Sequence, residues 1–278
     1  MSINEYEYVD GQKHASFDDL FNYYNQLNHQ ILQEKKWTLD QPYGFQEREL
    51  FDVCYAKTPA KAIIIYLHAG YWQSRDKSQF RFIAEDLSSK GYHFVLVNYP
   101  LCPTVKIGDI VRSIQYAIHS IKNFFKSEQV DLPIILCGHS AGAHLVTELA
   151  TQEGKSIQSN LFHGVIAISG IYDLAPLKDT SLNQALQLTE SEIQYYSPAY
   201  KNGLLIDFPF TFLVGQKETN AFIQQNQNMA KLLAASGIVK KEELLEHDHF
   251  SLLQEFFKKG RIFQHIEMMY DLILKLIK

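Results

Sequence analysis

Residues 133–149 read Pro133-Ile134-Ile135-Leu136-Cys137-Gly138-His139-Ser140-Ala141-Gly142-Ala143-His144-Leu145-Val146-Thr147-Glu148-Leu149. The run begins with consecutive apolar residues, as in a strand that is buried on both of its faces. It ends with apolar residues at helical spacing, which would form the buried stripe of a helix. Between them, two glycines flank a serine, with one residue between the serine and each glycine. The stretch therefore predicts a strand, a tight turn that carries Ser140, and a helix.

The tight turn has the pattern G-x-S-x-G of a nucleophile elbow. Such a turn holds its serine in a strained backbone conformation, and side chains in place of Gly138 and Gly142 would clash with the neighbouring strand and helix. The helix N-terminus carries a partial positive charge, which favours negative charge developing near Ser140. The pattern predicts that Ser140 is the nucleophile of a hydrolase; the alternative is a tight turn without chemistry.

Apolar runs alternate with amphipathic segments along most of the chain, which predicts a mostly parallel sheet with helices on both faces. Predicted strands, besides residues 133–137, are 62–67, 93–99, 164–168 and 210–214. Predicted covering helices are residues 79–90, 107–125 and 262–274. The chain has 278 residues and no linker of low complexity. We therefore expect a single α/β domain that spans residues 1–278.

Two regions depart from this alternation. Residues 1–50 are polar and rich in tyrosine, and we expect them to be partly helical and to wrap the outside of the sheet. Residues 171–207 form a long insertion before the predicted strand at 210–214, and a lid over a pocket is the role we expect for it. Thr189 and Glu192 have the spacing of a capping box, so the insertion should contain a short helix.

Composition excludes several classes of function. A net charge of −5, from 26 basic and 31 acidic side chains, gives no electrostatic basis for nucleic-acid binding. The acidic amino terminus lacks the apolar segment of a signal peptide, and no apolar run near it is long enough to span a membrane. Cys54, Cys102 and Cys137 lack metal-ligand spacing, so we expect buried free thiols and a cytoplasmic location. No Gly-rich phosphate loop is present, which argues against a nucleotide-binding protein.

The segment His68-Ala69-Gly70-Tyr71-Trp72 follows the predicted strand at 62–67 and has the form of an oxyanion loop. Such a loop aims backbone amides at a carbonyl oxygen as it gains negative charge. We expect the amides of Gly70 and Tyr71 to act in this way, together with that of Ala141. His68 is interpreted as a structural residue that braces its own loop.

A general base and an acid should follow Ser140 in the order serine, acid, histidine. His247 and His249 are both candidates for the base, and their spacing alone does not separate them. Glu218 is the carboxylate just beyond the predicted strand at 210–214, and the chain order favours it as the acid. Asp173, after the preceding strand, is its rival.

With these residues identified, the chain resembles kynurenine formamidase (arylformamidase) of the α/β-hydrolase type. The resemblance rests on His68-Ala69-Gly70-Tyr71-Trp72-Gln73, where the family has H-G-G-Y-W, and on residues 138–144, 169–174, 214–216 and 248–250. Matching the D-H-F block at residues 248–250 selects His249 as the base. Glu218 takes the acid position, where family members usually carry aspartate, and Ala69 replaces a family glycine.

The resemblance implies the α/β-hydrolase fold and hydrolysis of N-formyl-L-kynurenine through a formyl-enzyme. It assigns catalysis to Ser140, Glu218 and His249, and it suggests Tyr71 and Trp72 as an aromatic wall for the substrate. No metal or organic cofactor is implied, and the expected partner is a small-molecule substrate. The oligomeric state is left open, with a homodimer as one option. The alternatives are a general carboxylesterase for short-chain esters and a binding protein on an inactive hydrolase scaffold.

Overall fold

The computed structural model describes residues 2–152, 161–202, 206–234, 240–257 and 259–277. Eight strands form one sheet in the order β1-β2-β4-β3-β5-β6-β7-β8. Strands β1, β2 and β4 pair antiparallel, and all pairs from β4 through β3 to β8 are parallel. Their bounds are β1 Trp37–Pro42, β2 Leu50–Cys54, β3 Ala62–Leu67, β4 Tyr92–Val97, β5 Ile134–His139, β6 Gly164–Ile168, β7 Phe210–Gly215 and β8 Lys240–Leu245.

Helices connect these strands and cover the sheet. The α-helices in the described residues are α1 Ile3–Tyr8, α2 Phe17–Glu34, α3 Ala84–Ser89, α4 Ile107–Ser127, α5 Ala141–Thr151, α6 Asn183–Leu186, α7 Glu190–Tyr196, α8 Asn220–Ala234 and α9 Arg261–Leu276. Short 3₁₀ helices occupy Asp10–Gln12, Lys77–Ile83, Ala175–Asp179, Pro198–Tyr200 and Ser251–Phe256. No helix in the described part of the chain is both long and apolar enough to cross a membrane.

The two faces of the sheet bury separate apolar cores because side chains alternate along each strand. On β3, Ile63, Ile65 and Leu67 join the core under α4, α5 and α8. The alternate residues of β3 join a second core with α2, α3 and α9. All six β3 residues are buried, which explains why this strand is apolar on both faces. The predicted mostly parallel sheet with helices on both faces is therefore confirmed.

The five predicted strands agree with β3 to β7 to within one or two residues, and β8 was not among them. The region predicted as a helix over residues 79–90 divides into the 3₁₀ helix Lys77–Ile83 and α3. Gly91 follows with a φ of 91°, as expected for a glycine that ends a helix. Strands β1 and β2 were not predicted, since β1 is polar and β2 carries the charged Asp52 at its centre. Residues 1–50 thus contribute an edge strand in addition to two α-helices.

The insertion at residues 171–207 contains α6 and α7 and two 3₁₀ helices, so the predicted helical insertion before β7 is confirmed. Thr189 Oγ1 accepts a hydrogen bond from the Glu192 amide at 3.2 Å, and the Glu192 carboxylate accepts one from the Thr189 amide. This is the predicted capping box at the start of α7. Its role as a lid stays a prediction.

A buried carboxylate holds the antiparallel edge of the sheet to the loop after β3. Asp52, fully buried on β2, accepts a hydrogen bond from Lys77 Nζ at 2.7 Å and a two-pronged one from Arg81 at 2.7 and 2.9 Å. The amide of Asp40 on β1 donates to the same carboxylate at 2.9 Å. These donors compensate the cost of burying the charge.

We expect Asp52→Ala to lower the free energy of unfolding by about 3–5 kcal/mol, because it leaves the Lys77 and Arg81 charges without their shared buried partner. Urea unfolding followed by circular dichroism measures the change. The control is Glu190→Ala, which removes an exposed ion pair with Lys178 and should cost less than about 1 kcal/mol. Equal effects of the two substitutions would contradict the role given to Asp52.

Candidate active site

Four loops meet where neighbouring parallel strands end. Strand β5 ends at His139, just before Ser140, and β3, β7 and β8 lead into the segments that carry Gly70, Glu218 and His249. Because these strands are parallel, their carboxyl ends lie at one edge of the sheet, where α/β proteins form their sites. The topology therefore brings together residues that are far apart in sequence.

The turn between β5 and α5 has the strained geometry that its glycines predicted. Ser140 has φ 57° and ψ −117°, a region that side chains rarely adopt. A Cβ on Gly138 would lie 2.2 Å from the Gly142 carbonyl oxygen, and one on Gly142 would lie 2.0 Å from that of Leu67. Both positions therefore exclude a side chain. The Ser140 amide donates to the Ile168 carbonyl at 2.8 Å, which holds the strained residue against β6.

The Ser140 side chain is buried, and its hydroxyl makes no hydrogen bond to the described part of the chain. The residue is 1% exposed, and its Oγ has no hydrogen-bond partner among the described residues. Hydroxyls in active sites are often loosely placed without substrate and form their hydrogen bonds in the substrate complex. A buried hydroxyl at the N-terminus of α5 is thus available to a bound molecule.

His249 is paired with Glu218. Its Nδ1 lies 2.6 Å from Glu218 Oε2, and both side chains are almost fully buried. A carboxylate can only accept, so Nδ1 carries the proton and Nε2 of the neutral ring is left as a proton acceptor. The competing base, His247, is instead paired with Glu255 at 2.7 Å. Of the two histidines, His249 is the one joined to the predicted acid.

Two further donors hold the Glu218 carboxylate. Its Oε1 accepts hydrogen bonds from the Gly215 amide at 2.8 Å and from Ser169 Oγ at 2.5 Å. The rival acid, Asp173, accepts instead from the Ala175 amide and the Tyr200 hydroxyl. Ser169 was not predicted to have a role, although its position just after β6, next to β7, indicates that it lies close to Glu218.

The imidazole of His249 lies among three aromatic rings. Ring centroids lie 4.7 Å away for His139, 4.9 Å for Phe222 and 5.1 Å for Phe250. Burial, together with the nearby His249, lowers the pKa of His139 well below its ordinary value, so His139 is neutral at neutral pH. Tyr24 of α2 donates to the Phe250 carbonyl at 3.0 Å and fixes the loop that carries His249. These neighbours restrict rotation of the imidazole.

The loop after β3 has an unusual run of left-handed residues. Gly70, Tyr71 and Trp72 have φ angles of 130°, 50° and 59°. A Cβ on Gly70 would lie 2.2 Å from the Ser74 carbonyl oxygen, so this position requires glycine. No backbone–backbone hydrogen bond in the described residues uses the amide of Gly70, Tyr71 or Ala141 as its donor. All three predicted oxyanion amides therefore lack a backbone acceptor.

The two aromatic residues of this loop have different environments. The Tyr71 side chain is half-buried, and its hydroxyl donates to the Tyr8 carbonyl. Trp72 is fully buried in the core, with its ring edge-on to His144 at 5.0 Å. The role of these residues as a substrate wall stays a prediction.

Two other histidines near the site are neutral for the same reason. Burial lowers the pKa of His68 and of His144 to about 4. His68 stacks on Tyr99 at 4.4 Å and bonds the Ala69 carbonyl, as expected for a residue that braces its loop. His144 Nε2 bonds the Tyr196 carbonyl at 2.7 Å and so joins α5 to the insertion.

The three cysteines are free and buried, as predicted. In the described residues, no three His, Cys, Asp or Glu side chains are grouped so that they could hold a metal ion.

Comparison with solved structures shows the fold. Esterase B from Lactobacillus rhamnosis superimposes with a TM-score of 0.76 at 20% identity, covering 99% of this chain and 98% of the esterase. A hormone-sensitive lipase from a metagenome library gives a TM-score of 0.68 at 18% identity, covering 99% of this chain and 96% of the lipase. The predicted α/β-hydrolase fold is confirmed.

Comparison of sequences is more specific. The family model BD-FAE matches residues 52–199. Kynurenine formamidase from Danio rerio is 31% identical over 247 residues, which cover 86% of this chain and 81% of the relative. Kynurenine formamidase from Drosophila melanogaster is 27% identical over 83% of this chain and 80% of the relative. On these similarities, and with the fold in hand, the chain belongs to the BD-FAE family and to the α/β-hydrolases of the kynurenine formamidase type.

Proposed function

We propose that the protein is a serine hydrolase that converts N-formyl-L-kynurenine to kynurenine and formate. The observation that carries the proposal is the hydrogen bond of 2.6 Å between His249 and Glu218, at the sheet edge that also carries the strained Ser140. This is the arrangement of base and orienting acid that activates a serine nucleophile. Similarity to kynurenine formamidases supports the choice of substrate.

In the first half of the reaction, Ser140 Oγ attacks the formyl carbon and transfers its proton to His249 Nε2. Glu218 keeps the imidazole in the required tautomer and stabilises its protonated form. The carbonyl oxygen becomes an oxyanion, which the amides of Gly70, Tyr71 and Ala141 stabilise. The C–N bond then breaks, and His249 returns the proton to the departing arylamine.

In the second half, a water molecule attacks the formyl-enzyme. His249 removes a proton from the water, a second tetrahedral oxyanion forms and collapses, and the proton returns to Ser140 Oγ as formic acid leaves and ionises to formate in water. The protein's own groups perform each proton transfer up to the release of formic acid. The burial of Ser140 and His249 supports it, because charge–dipole interactions are stronger where water is excluded.

A general carboxylesterase is the second candidate. The same three side chains would cleave an ester, and esterase B has the same fold. The two functions differ in the acyl group and in the leaving group. A direct comparison of substrates separates them.

We expect Ser140→Ala to lower kcat by about 10⁶-fold, because loss of the nucleophile removes the covalent route. Hydrolysis of N-formylkynurenine and of phenyl acetate by purified protein measures the loss, and labelling by a fluorophosphonate should disappear with it. More than a few per cent of wild-type activity in the pure variant would remove Ser140 from its assigned role.

Two matched substitutions, each replacing a carboxylate by the corresponding amide, test which residue is the acid. Glu218→Gln should lower kcat by about 10⁴-fold with the fold intact, because an amide cannot stabilise the protonated imidazole in the same orientation. Asp173→Asn should have a far smaller effect, since Asp173 bonds Ala175 and Tyr200 instead. The reverse order of the two effects would assign the acid to Asp173.

The substrate is tested by three acyl compounds. Formyl is the smallest acyl group, and an enzyme specific for it needs only a small acyl site beneath the oxyanion loop. We therefore expect kcat/KM to be highest for N-formylkynurenine, lower for phenyl acetate and far lower for phenyl octanoate. Differences in fit of this kind discriminate by about 1–3 kcal/mol, so some acetate hydrolysis should remain. A preference for the octanoate, or no formate released from N-formylkynurenine, would favour the carboxylesterase.

A further inference from the structure

We propose that residues 3–12, called here the N-terminal segment, position the active site by joining the loop that carries Glu218 to the loop that carries Tyr71. The segment consists of α1 and the 3₁₀ turn Asp10–Gln12. The proposal rests on the serine-hydrolase mechanism above and adds positioning residues to it. These residues act through the acid and the oxyanion amides and do not touch the reacting atoms.

The first attachment is to the acid loop. Thr219, the residue after Glu218, donates from Oγ1 to the Glu7 carbonyl at 2.7 Å and accepts from Gln12 Nε2 at 2.8 Å. The Glu7 carboxylate accepts from the Ala221 amide in the first turn of α8 at 2.9 Å, where a negative charge is favourable. The N-terminal segment is thus hydrogen-bonded to Thr219 and Ala221, which closely follow the proposed acid Glu218 in the chain.

The second attachment is to the oxyanion loop. The Tyr71 hydroxyl donates to the Tyr8 carbonyl. Burial, with Glu218 nearby, raises the pKa of the Tyr71 phenol, so the hydroxyl keeps its proton and remains a donor. Tyr71 has a φ of 50°, a left-handed conformation that a bulky residue adopts only where its surroundings enforce it. The anchored phenol is one such constraint on the residue whose amide should face the oxyanion.

The third attachment is to the base. The Tyr8 ring packs on Phe222 with centroids 5.8 Å apart, and Phe222 in turn packs on His249. Gln225 donates to the Tyr8 hydroxyl at 2.9 Å, and its Oε1 accepts from the Tyr172 amide at 2.9 Å. The Tyr8 ring therefore supports Phe222 against the imidazole of His249. The Tyr8 carbonyl holds the Tyr71 hydroxyl.

Acid, base and oxyanion loop come from three different strand ends. The N-terminal segment is hydrogen-bonded to the chain beside the acid and to the oxyanion loop, and it reaches the base through Phe222. A displacement of about 1 Å in a reacting group can cost about 100-fold in rate. Loosening any attachment should therefore lower kcat, while substrate binding changes little. A segment that only stabilised the fold would lower the unfolding midpoint and leave kcat unchanged.

The test uses the full chain with two near-isosteric substitutions, Thr219→Val and Tyr71→Phe. Each removes a hydroxyl and keeps the packing volume, so we expect kcat to fall by about 10- to 100-fold with KM within about threefold. The unfolding midpoint should stay near that of the wild type. Inhibition by a phenylboronic acid, which forms a tetrahedral adduct with a catalytic serine, should weaken in parallel for Tyr71→Phe.

A matched control lies in the same helix. Glu7→Ala removes the contact with Ala221 and should lower kcat. Glu5→Ala removes only exposed contacts with Ser181, at 2.6 and 2.7 Å, and should leave kcat within about twofold. Equal effects of Glu5→Ala and Glu7→Ala would overturn the proposal, as would wild-type kcat in both Thr219→Val and Tyr71→Phe.

Measuring phenyl acetate beside N-formylkynurenine separates this proposal from the choice of substrate. Acid, base and oxyanion amides serve both reactions, so each variant should lose the same factor with either compound. If wild-type protein cleaves only the ester, the formamidase assignment fails and the positioning effect is still read from the ester. If the variants keep full ester turnover, the positioning proposal fails whatever the substrate is.

Discussion

The close approach of α5 to the end of β3 is the constraint on which the site depends. With no side chain at Gly142, the helix backbone lies against the Leu67 carbonyl, and a Cβ there would come within 2.0 Å of that oxygen. This contact sets the start of α5, and with it Ser140, directly beside the loop that follows β3. A larger residue at position 142 would separate Ser140 from the amides of Gly70 and Tyr71. The glycine therefore determines the geometry between two strands, beyond the shape of its own turn.

The proposed acid, Glu218, shows how a side chain of different length is accommodated. Family resemblance leads to aspartate at this position, and this chain has Glu218. Its carboxylate reaches His249 through Oε2, while the Gly215 amide and the Ser169 hydroxyl hold Oε1. Three donors on two oxygens leave the longer side chain little freedom to rotate. Orientation of the imidazole thus depends on β6 and β7 together.

Much of the support for the site comes from the polar N-terminal region. Tyr24 of α2 holds the Phe250 carbonyl, and Tyr8 of α1 holds the Tyr71 hydroxyl. Hydrophobic periodicity predicts neither contact. Each contact is made by a single polar group, the Tyr24 hydroxyl or the Tyr8 carbonyl, on a helix whose sequence is otherwise typical of a surface helix. Their effect is to fix two loops that strained backbone alone would not keep in place.

The sequence by itself determined five of the six parallel strands, the tight turn at Ser140, and the chain order of the proposed serine, acid and histidine. These features are local or follow chain order, so apolar runs and glycine spacing carry them. Only the tertiary structure shows that His249 and Glu218 are hydrogen-bonded to each other, while His247 and Asp173 have other partners, because residues two apart on a loop, or after adjacent strands, differ only in where the fold points them. It also placed the polar strand β1, the charged strand β2 and the Asp52 cluster, since burial of a charge depends on donors such as Lys77 and Arg81 that are distant in sequence.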